Sequence, residues 1–129
     1  MTDQDYAKAM RELQALDNSL RNNIEEIARA DLERVLLFET TMKARDEAAR
    51  IEEIFAGVLV FWEARKAKDA IGLSKNALAE AANISNALEI IDLHSPSVAT
   101  LAQERVNKMC TACHAAHREK RPDGTFKIK

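Results

Sequence analysis

The segment SPSVATLAQERVNKMCTACHAAHR, residues 95–118, carries the strongest structural and chemical signals of the chain. Ser95 before Pro96 predicts a helix start, because serine caps free backbone N–H groups and proline fits the first helical position. We expect the turn RPDGT, residues 121–125, to end this helix. Apolar residues between these limits recur in steps of three and four, as on one buried helix face; they are Val98, Leu101 or Ala102, Val106, Met109, Cys113 and Ala116.

The first part of the chain predicts another amphipathic helix. Thr2 or Asp3 can cap it, and Thr2 with Asp5 resembles a capping box. Its inward face repeats in steps of three and four and comprises Tyr6, Met10, Leu13, Leu16 (or Ala9), Leu20, Ile24 and Ile27.

Two further helices are predicted between these segments. One helix from Asp31 to Leu93 would be roughly 90 Å long at 1.5 Å per residue, so the chain must turn back once. We place the break near residues 50–57, with Asp31 as the preceding cap and Gly72 absorbed inside the third helix. The second helix should turn inward Leu32, Val35, Phe38, Met42 and Ala49. A further stripe in steps of three and four follows, at Ile51, Ile54, Phe55, Val58 and Trp62, and a later one comprises Ala70, Leu73, Ala77, Ala81, Ile84, Leu88 and Ile91.

The fold class predicted is therefore all-α, an antiparallel four-helix bundle formed as a single domain over residues 1–129, with 121–129 as a C-terminal tail. The 129 residues include only 3 Gly and 2 Pro, with 47% hydrophobic and 31% charged residues, which suits one helical domain. No stretch alternates strictly, and no Asp-Gly hairpin lies between alternating runs, so no strands are expected.

Charge and hydropathy exclude several classes of protein. The chain has no apolar run long enough to span a bilayer. Its net charge of −2, its pI of about 5.9 and its single Tyr argue against nucleic-acid binding. The charge is uneven, because residues 104–129 carry +4 and residues 1–103 carry −6. This basic end is either ordinary solvated charge or a surface that steers an acidic partner.

The spacing Cys-x-x-Cys-His at Cys110, Cys113 and His114 is the chemical centre of the sequence. Residues three apart share a helix face, so both thiols can reach one planar group, and this motif is typical of c-type haem attachment. Two thioethers would then hold one haem, with His114 as the proximal iron ligand.

Three other uses of these cysteines are less consistent with the sequence. A thioredoxin-like redox pair requires a βαβ context, which the sequence does not show. A zinc site could use Cys110, Cys113 and His117, but it lacks a fourth ligand unless His114 or a second chain supplies it. A disulfide between residues three apart would strain the helix and constrain almost nothing.

A helical chain of this length with CTACHAAHR in its last helix resembles the class II c-type cytochromes, the group of cytochrome c′ and cytochrome c556. The family pattern continues with x-x-aromatic-Arg; here Arg118 matches the arginine and His117 replaces the aromatic residue. Residues 61–83 are similar to the third helix of the family. The resemblance implies one covalent haem c, a haem-proximal Arg118, a homodimer through the first helix, and a periplasmic location. Since MTDQDYAKAM lacks the regions of a signal peptide, a periplasmic chain would be a processed one.

The second axial position decides the mechanism that the resemblance implies. Low-spin members place a methionine on the first helix, which here is Met10, and others place an apolar residue that leaves the iron open. Leu13 or Leu16 could fill that apolar position. Met42, Met109 and Trp62 are expected in the core, and His94 in a loop. His117 shares a helix face with His114, so it cannot be the sixth ligand; a position near the haem propionates remains open to it.

Two classes of function remain. A haem with both axial positions filled is suited to electron transfer. An open iron would instead bind NO or CO, as in a gas sensor or trap. A zinc-binding helical module is a third class. We expect no enzyme, because the sequence pairs no base with a nucleophile.

Overall fold

The computed structural model describes residues 1–29 and 34–129, in which four helices pack against one another. Consecutive helices are in contact, and the last helix also packs on the first. This confirms the all-helical prediction, and the arrangement fits a four-helix bundle. Asp31 and Leu32, and the side chain of Val35, lie outside the described part of the chain. The helices are α1 (Asp3–Ala28), α2 (Arg34–Ala64), α3 (Lys68–Glu89) and α4 (Ser95–His117).

Helix α1 begins with the capping box that the sequence predicts. The Asp5 N–H donates to the Thr2 hydroxyl at 3.1 Å, and the Thr2 N–H donates to the Asp5 carboxylate at 2.9 Å. The bond from the Thr2 backbone keeps the pKa of Asp5 below its ordinary value. The inward face is confirmed by the buried side chains, which are Tyr6, Leu13, Leu20, Ile24 and Ile27, together with the polar Asn23.

The predicted break near residues 50–57 is wrong. Helix α2 continues through Gly57 to Ala64, because its apolar face stays against the core without interruption. A Cβ placed at Gly57 would lie 3.2 Å from the Met1 Cε, so the glycine leaves room for the Met1 side chain. The buried residues on either side of it include Ile51, Ile54, Phe55, Val58, Phe61 and Trp62, and the last confirms the core position of the tryptophan.

The chain turns back at Lys66, which has a φ of 55°. The Ala67 N–H donates to the Trp62 carbonyl at 3.3 Å, and the Lys66 N–H donates to the Glu63 carbonyl at 3.1 Å. This is the bond pattern of a Schellman C-cap, with lysine in the left-handed position that glycine usually takes. Gly72 lies inside α3, as predicted.

The first half of α2 buries a different face from the predicted one. Phe38, Met42 and Ala49 are exposed, so their predicted core positions are wrong. Counting back from the buried Ile51 in helical steps reaches Ala48, Ala44 and Thr41 instead, and these are the residues that lie against the core.

Helix α4 begins at Ser95, as predicted, but Asp92 makes the cap. Its carboxylate accepts from the His94 N–H at 2.8 Å and the Ser95 N–H at 3.0 Å, which lowers the pKa of Asp92. The Ser95 hydroxyl donates to the Ile90 carbonyl at 2.9 Å. Ala102, not Leu101, is the buried alternative.

The remaining positions of the α4 face only partly follow the predicted stripe. Val98 and Ala116 are exposed, so their inward positions are wrong. In its first half, α4 buries the small Ala99 and Ala102 and leaves the larger Val98 and Leu101 outside, which a pattern based on hydrophobicity alone does not anticipate. The buried residues are Ser95, Ala99, Ala102, Gln103, Val106 and Cys113.

The C-terminal tail forms a hairpin, so the expectation of no strands is wrong there. Strand β1 (Arg118–Lys120) pairs antiparallel with β2 (Phe126–Ile128), with Arg118 opposite Ile128. The predicted turn at 121–125 is present, but it joins the two strands and does not end α4, which stops at His117. Gly124 has a φ of 87°, which glycine adopts without strain. The sequence missed the hairpin because the strands are only three residues long.

No helix over residues 1–29 and 34–129 combines the length and apolar character needed to cross a membrane. The buried hydrophobic side chains form one cluster to which all four helices contribute. Met109 and Ile128 are partly buried and pack against this cluster.

Replacing Leu20 with alanine tests the importance of the α1 face. Leu20 is 0% exposed, so Leu20→Ala should lower the free energy of unfolding by about 2–5 kcal/mol through lost burial and a residual cavity. Urea unfolding followed by far-UV circular dichroism measures the change. Leu93→Ala is the matched control, because Leu93 is 89% exposed and should change stability by less than about 0.5 kcal/mol. Equal losses in the two variants would contradict this description of the core.

Candidate functional site

A cavity of about 950 Å³ lies between α1 and α4 and is bounded at one end by the hairpin. Cofactor and ligand sites usually enclose roughly 300–1,000 Å³, so this cavity is large enough for a cofactor. The structure brings to its walls all five residues that the sequence singled out for a site, which are Cys110, Cys113, His114, Met10 and Arg118.

The two helices that form the cavity are joined by Gln103. Its side-chain amide is buried and donates to the Asp17 carbonyl at 2.9 Å and to the Asp17 carboxylate at 2.8 Å. Met10 lies seven residues before Asp17 on α1, and Cys110 lies seven residues after Gln103 on α4. Seven residues are close to two helical turns, about 10 Å, so this contact places Met10 and Cys110 at similar heights. Both side chains also line a second, smaller cavity.

The cysteine side chains lie one helical turn apart, and both thiols are free. Burial, with a smaller contribution from the Asp17 carboxylate, raises the pKa of Cys110 to about 11. Burial also raises the pKa of Cys113. At neutral pH both side chains are therefore protonated thiols.

His114 is partly buried and faces both cavities. Burial lowers its pKa, and the positive charge of Arg118 lowers it further. Neutral imidazole is the form that coordinates metals, so this environment suits a ligand.

The three α1 residues considered for the position across the cavity from His114 are not equivalent. Met10 is partly buried and lines both cavities, and Leu13 is buried and lines the larger one. Leu16 packs against the core and is absent from the residues that line either cavity. Met42 is 39% exposed, which corrects its predicted core position. Of the three candidates, Met10 and Leu13 therefore line the larger cavity and Leu16 does not.

His117 makes contacts that the sequence could not reveal. Its Nε2 lies 2.7 Å from the Asp69 carboxylate, its Nδ1 lies 2.9 Å from the Lys129 backbone oxygen, and its ring centroid is 4.7 Å from that of Trp62. The bond from His117 keeps the pKa of Asp69 below its ordinary value. Forty-eight residues separate Asp69 from His117, and no local pattern links them. His94, by contrast, lies exposed in the connection before α4, as predicted.

These contacts do not form the alternative zinc site of Cys110, Cys113 and His117. His117 is engaged by Asp69 and Lys129. In the part of the chain that the structure describes, no three His, Cys, Asp or Glu side chains are grouped to hold a metal ion. A covalently attached haem does not need such a group, because the thiols bond to the porphyrin and only the axial residues bind iron.

Arg118 lies at the junction of α4 and the hairpin. Its guanidinium carbon is 3.9 Å from the centre of the Phe126 ring, a cation–π contact within the hairpin. The side chain is exposed and belongs to a basic rim of the cavity, whose members are Arg11, Arg21, Arg118, Arg121 and Lys127.

Similarity to known proteins does not contribute to the functional interpretation. No protein-family model, curated protein or solved structure matches the chain. The functional argument therefore depends on the spacing of the motif and on the cavity that its side chains share.

The carboxylate of Asp17 should control the reactivity of Cys110. In the full chain without haem, Asp17→Asn should speed alkylation of Cys110 at fixed neutral pH, since a lower pKa gives more thiolate. The increase should be up to about tenfold, because one pKa unit changes the thiolate fraction tenfold. Peptide mass spectrometry of the iodoacetamide-treated protein measures the rate. Asp46→Asn, at an exposed position of α2, should leave the rate unchanged. A rate unaffected by Asp17→Asn would contradict the electrostatic contribution.

Proposed function

We propose that this protein is a mono-haem c-type cytochrome of the class II kind, an antiparallel four-helix bundle that transfers electrons in the periplasm. One observation carries the proposal: the thiols of Cys110 and Cys113, the imidazole of His114 and the thioether of Met10 line the same cofactor-sized cavity. The motif resemblance supports the same assignment, and so does the neutral state favoured for His114.

The residues on the cavity walls fit a haem by their chemistry. Cys110 and Cys113 would hold it through two thioethers, and His114 and Met10 would be the axial ligands. A bound haem supplies a one-electron couple at its iron. The chain fixes the positions of the donors on two helices joined by Gln103. Apolar side chains exclude water from the wall between them; they are Leu13, Ile51, Ile84 and Val106.

Electron transfer is favoured over gas binding because of Met10. Its side chain is partly buried and faces the cavity from the helix opposite His114. A filled sixth position allows the oxidation state to change with little movement. The second candidate is a five-coordinate protein that binds NO or CO, and the buried Leu13 on the same wall favours it. In that case Leu13 is the distal residue; Leu16 is disfavoured, because neither cavity is lined by it.

An acidic redox partner is proposed for the basic end of the chain. The hairpin exposes several cations beside the cavity, which are Arg118, Lys120, Arg121, Lys127 and Lys129. Such a field raises the rate at which an oppositely charged protein arrives. A homodimer through α1, as the resemblance implies, is part of the same proposal, and no catalytic role is assigned.

Covalent attachment is tested by denaturing mass spectrometry. Protein from a host competent in haem attachment should have the mass of the chain plus one haem, because each thiol forms a bond that survives unfolding. His114→Ala should keep this mass and lose the normal ligation spectrum. A bare polypeptide mass for the wild-type chain would refute the assignment.

Replacing Met10 distinguishes the two functions. If Met10 is the sixth ligand, Met10→Ala should convert a low-spin spectrum to a high-spin one and allow rapid CO binding, because the position becomes open. Met42→Ala is the matched control at an exposed methionine and should leave the optical spectrum unchanged. A wild-type protein that is already high-spin and binds CO readily would make gas binding the better assignment.

The basic surface predicts a salt-dependent reaction with an acidic redox protein. The observed rate constant should fall as ionic strength rises, since the Debye length is about 10 Å at 0.1 M salt and shorter above it. Stopped-flow kinetics at several salt concentrations measure this dependence. Lys120→Gln with Lys127→Gln should flatten it. A wild-type rate constant that is flat across the salt range would argue against electrostatic steering.

A further inference from the structure

The C-terminal hairpin is a wall of the cavity. Arg118, Arg121 and residues 125–128 line it, facing the wall that carries the two cysteines. Ile128 is partly buried and packs against the core. A two-stranded hairpin is marginally stable in water by itself. Its position over the cavity therefore depends on how it is attached to the helices.

His117 attaches the hairpin to the body of the protein through two types of bond. Its backbone carbonyl accepts from the Lys129 N–H at 2.9 Å, and its Nδ1 contacts the Lys129 backbone oxygen at 2.9 Å. Its Nε2 contacts the Asp69 carboxylate at the start of α3, at 2.7 Å. One side chain thus connects α4, α3 and the returning end of β2.

Both partners of the His117 ring are hydrogen-bond acceptors. One is a backbone oxygen, and the other is the Asp69 carboxylate, whose lowered pKa keeps it ionised. A bond from a ring N–H to the ionised Asp69 is of the stronger, charge-assisted kind. The neutral ring of Trp62 packs against the His117 ring from α2.

We propose that residues 118–129 form a flap over the cavity between α1 and α4, and that His117 is its latch. The His117–Asp69 bond holds the flap closed, and its loss releases the hairpin and opens a path to Cys110 and Cys113. The inference deepens the proposed function, since it concerns access to the cavity in which the haem is proposed to lie. The flap thereby controls which molecules reach that cavity.

The test uses the full-length chain with both thiols free. His117→Phe keeps an aromatic ring against Trp62 and removes both ring nitrogens. Amide hydrogen exchange at Arg121 and Lys129 should become at least about tenfold faster, since these amides donate within the closed hairpin. Iodoacetamide should alkylate Cys110 and Cys113 faster by a similar factor. The amides of Ile84 and Leu88, in the buried face of α3, should exchange as in the wild type.

His94→Phe is the matched control, because His94 is exposed at the start of α4; it should change neither rate. Asp69→Ala is a second variant that leaves His117 and Trp62 in place, and it should release the same amides and thiols. If the Ile84 and Leu88 amides exchange faster in His117→Phe, that variant is destabilised as a whole, and Asp69→Ala then provides the test. The proposal is overturned if Asp69→Ala leaves both rates unchanged. It is equally overturned if the hairpin amides are released while the thiols react at the wild-type rate.

These outcomes are independent of haem attachment. A bare polypeptide mass from a haem-competent host would refute the proposed function. The exchange and alkylation rates would still show whether the hairpin is a flap.

Discussion

The buried contact between Gln103 and Asp17 sets the geometry on which the rest of the site depends. One amide donates to both the carbonyl and the carboxylate of Asp17, so it fixes the register of α4 against α1. Met10 on α1 and Cys110 on α4 each lie about two turns from this contact in the same direction, so they face each other at similar heights. A shift of either helix by one turn would move these side chains past each other.

Two contacts hold the walls of the cavity in place. Gln103 joins α4 to Asp17 of α1. The hairpin borders one end of the cavity, and His117 joins it to α3. The thiols, the imidazole of His114 and the thioether of Met10 line this one volume. The chemistry of the chain is therefore concentrated between α1 and α4.

The sequence predicted the features that depend on local spacing. The capping box and the inward stripe of α1 follow from local sequence patterns and are confirmed. The break after α2 was misplaced at Gly57, because the actual turn uses Lys66 in a conformation for which glycine is the usual signal. The bond between Asp69 and His117 was not predictable, because it depends on how α3 and α4 pack. Whether Met10 or Leu13 completes the proposed site depends in turn on how α1 packs against α4.

The optical spectrum of the purified protein tests the central claim most directly, since it reports attachment and ligation together. Protein from a haem-competent host should show an intense haem absorption that persists after denaturation, and its reduced pyridine complex should have the band position of a haem with two thioethers. The reduced native spectrum should also be that of a low-spin, six-coordinate iron. A preparation without haem absorption, or one from which acid and organic solvent extract the haem, would contradict the account.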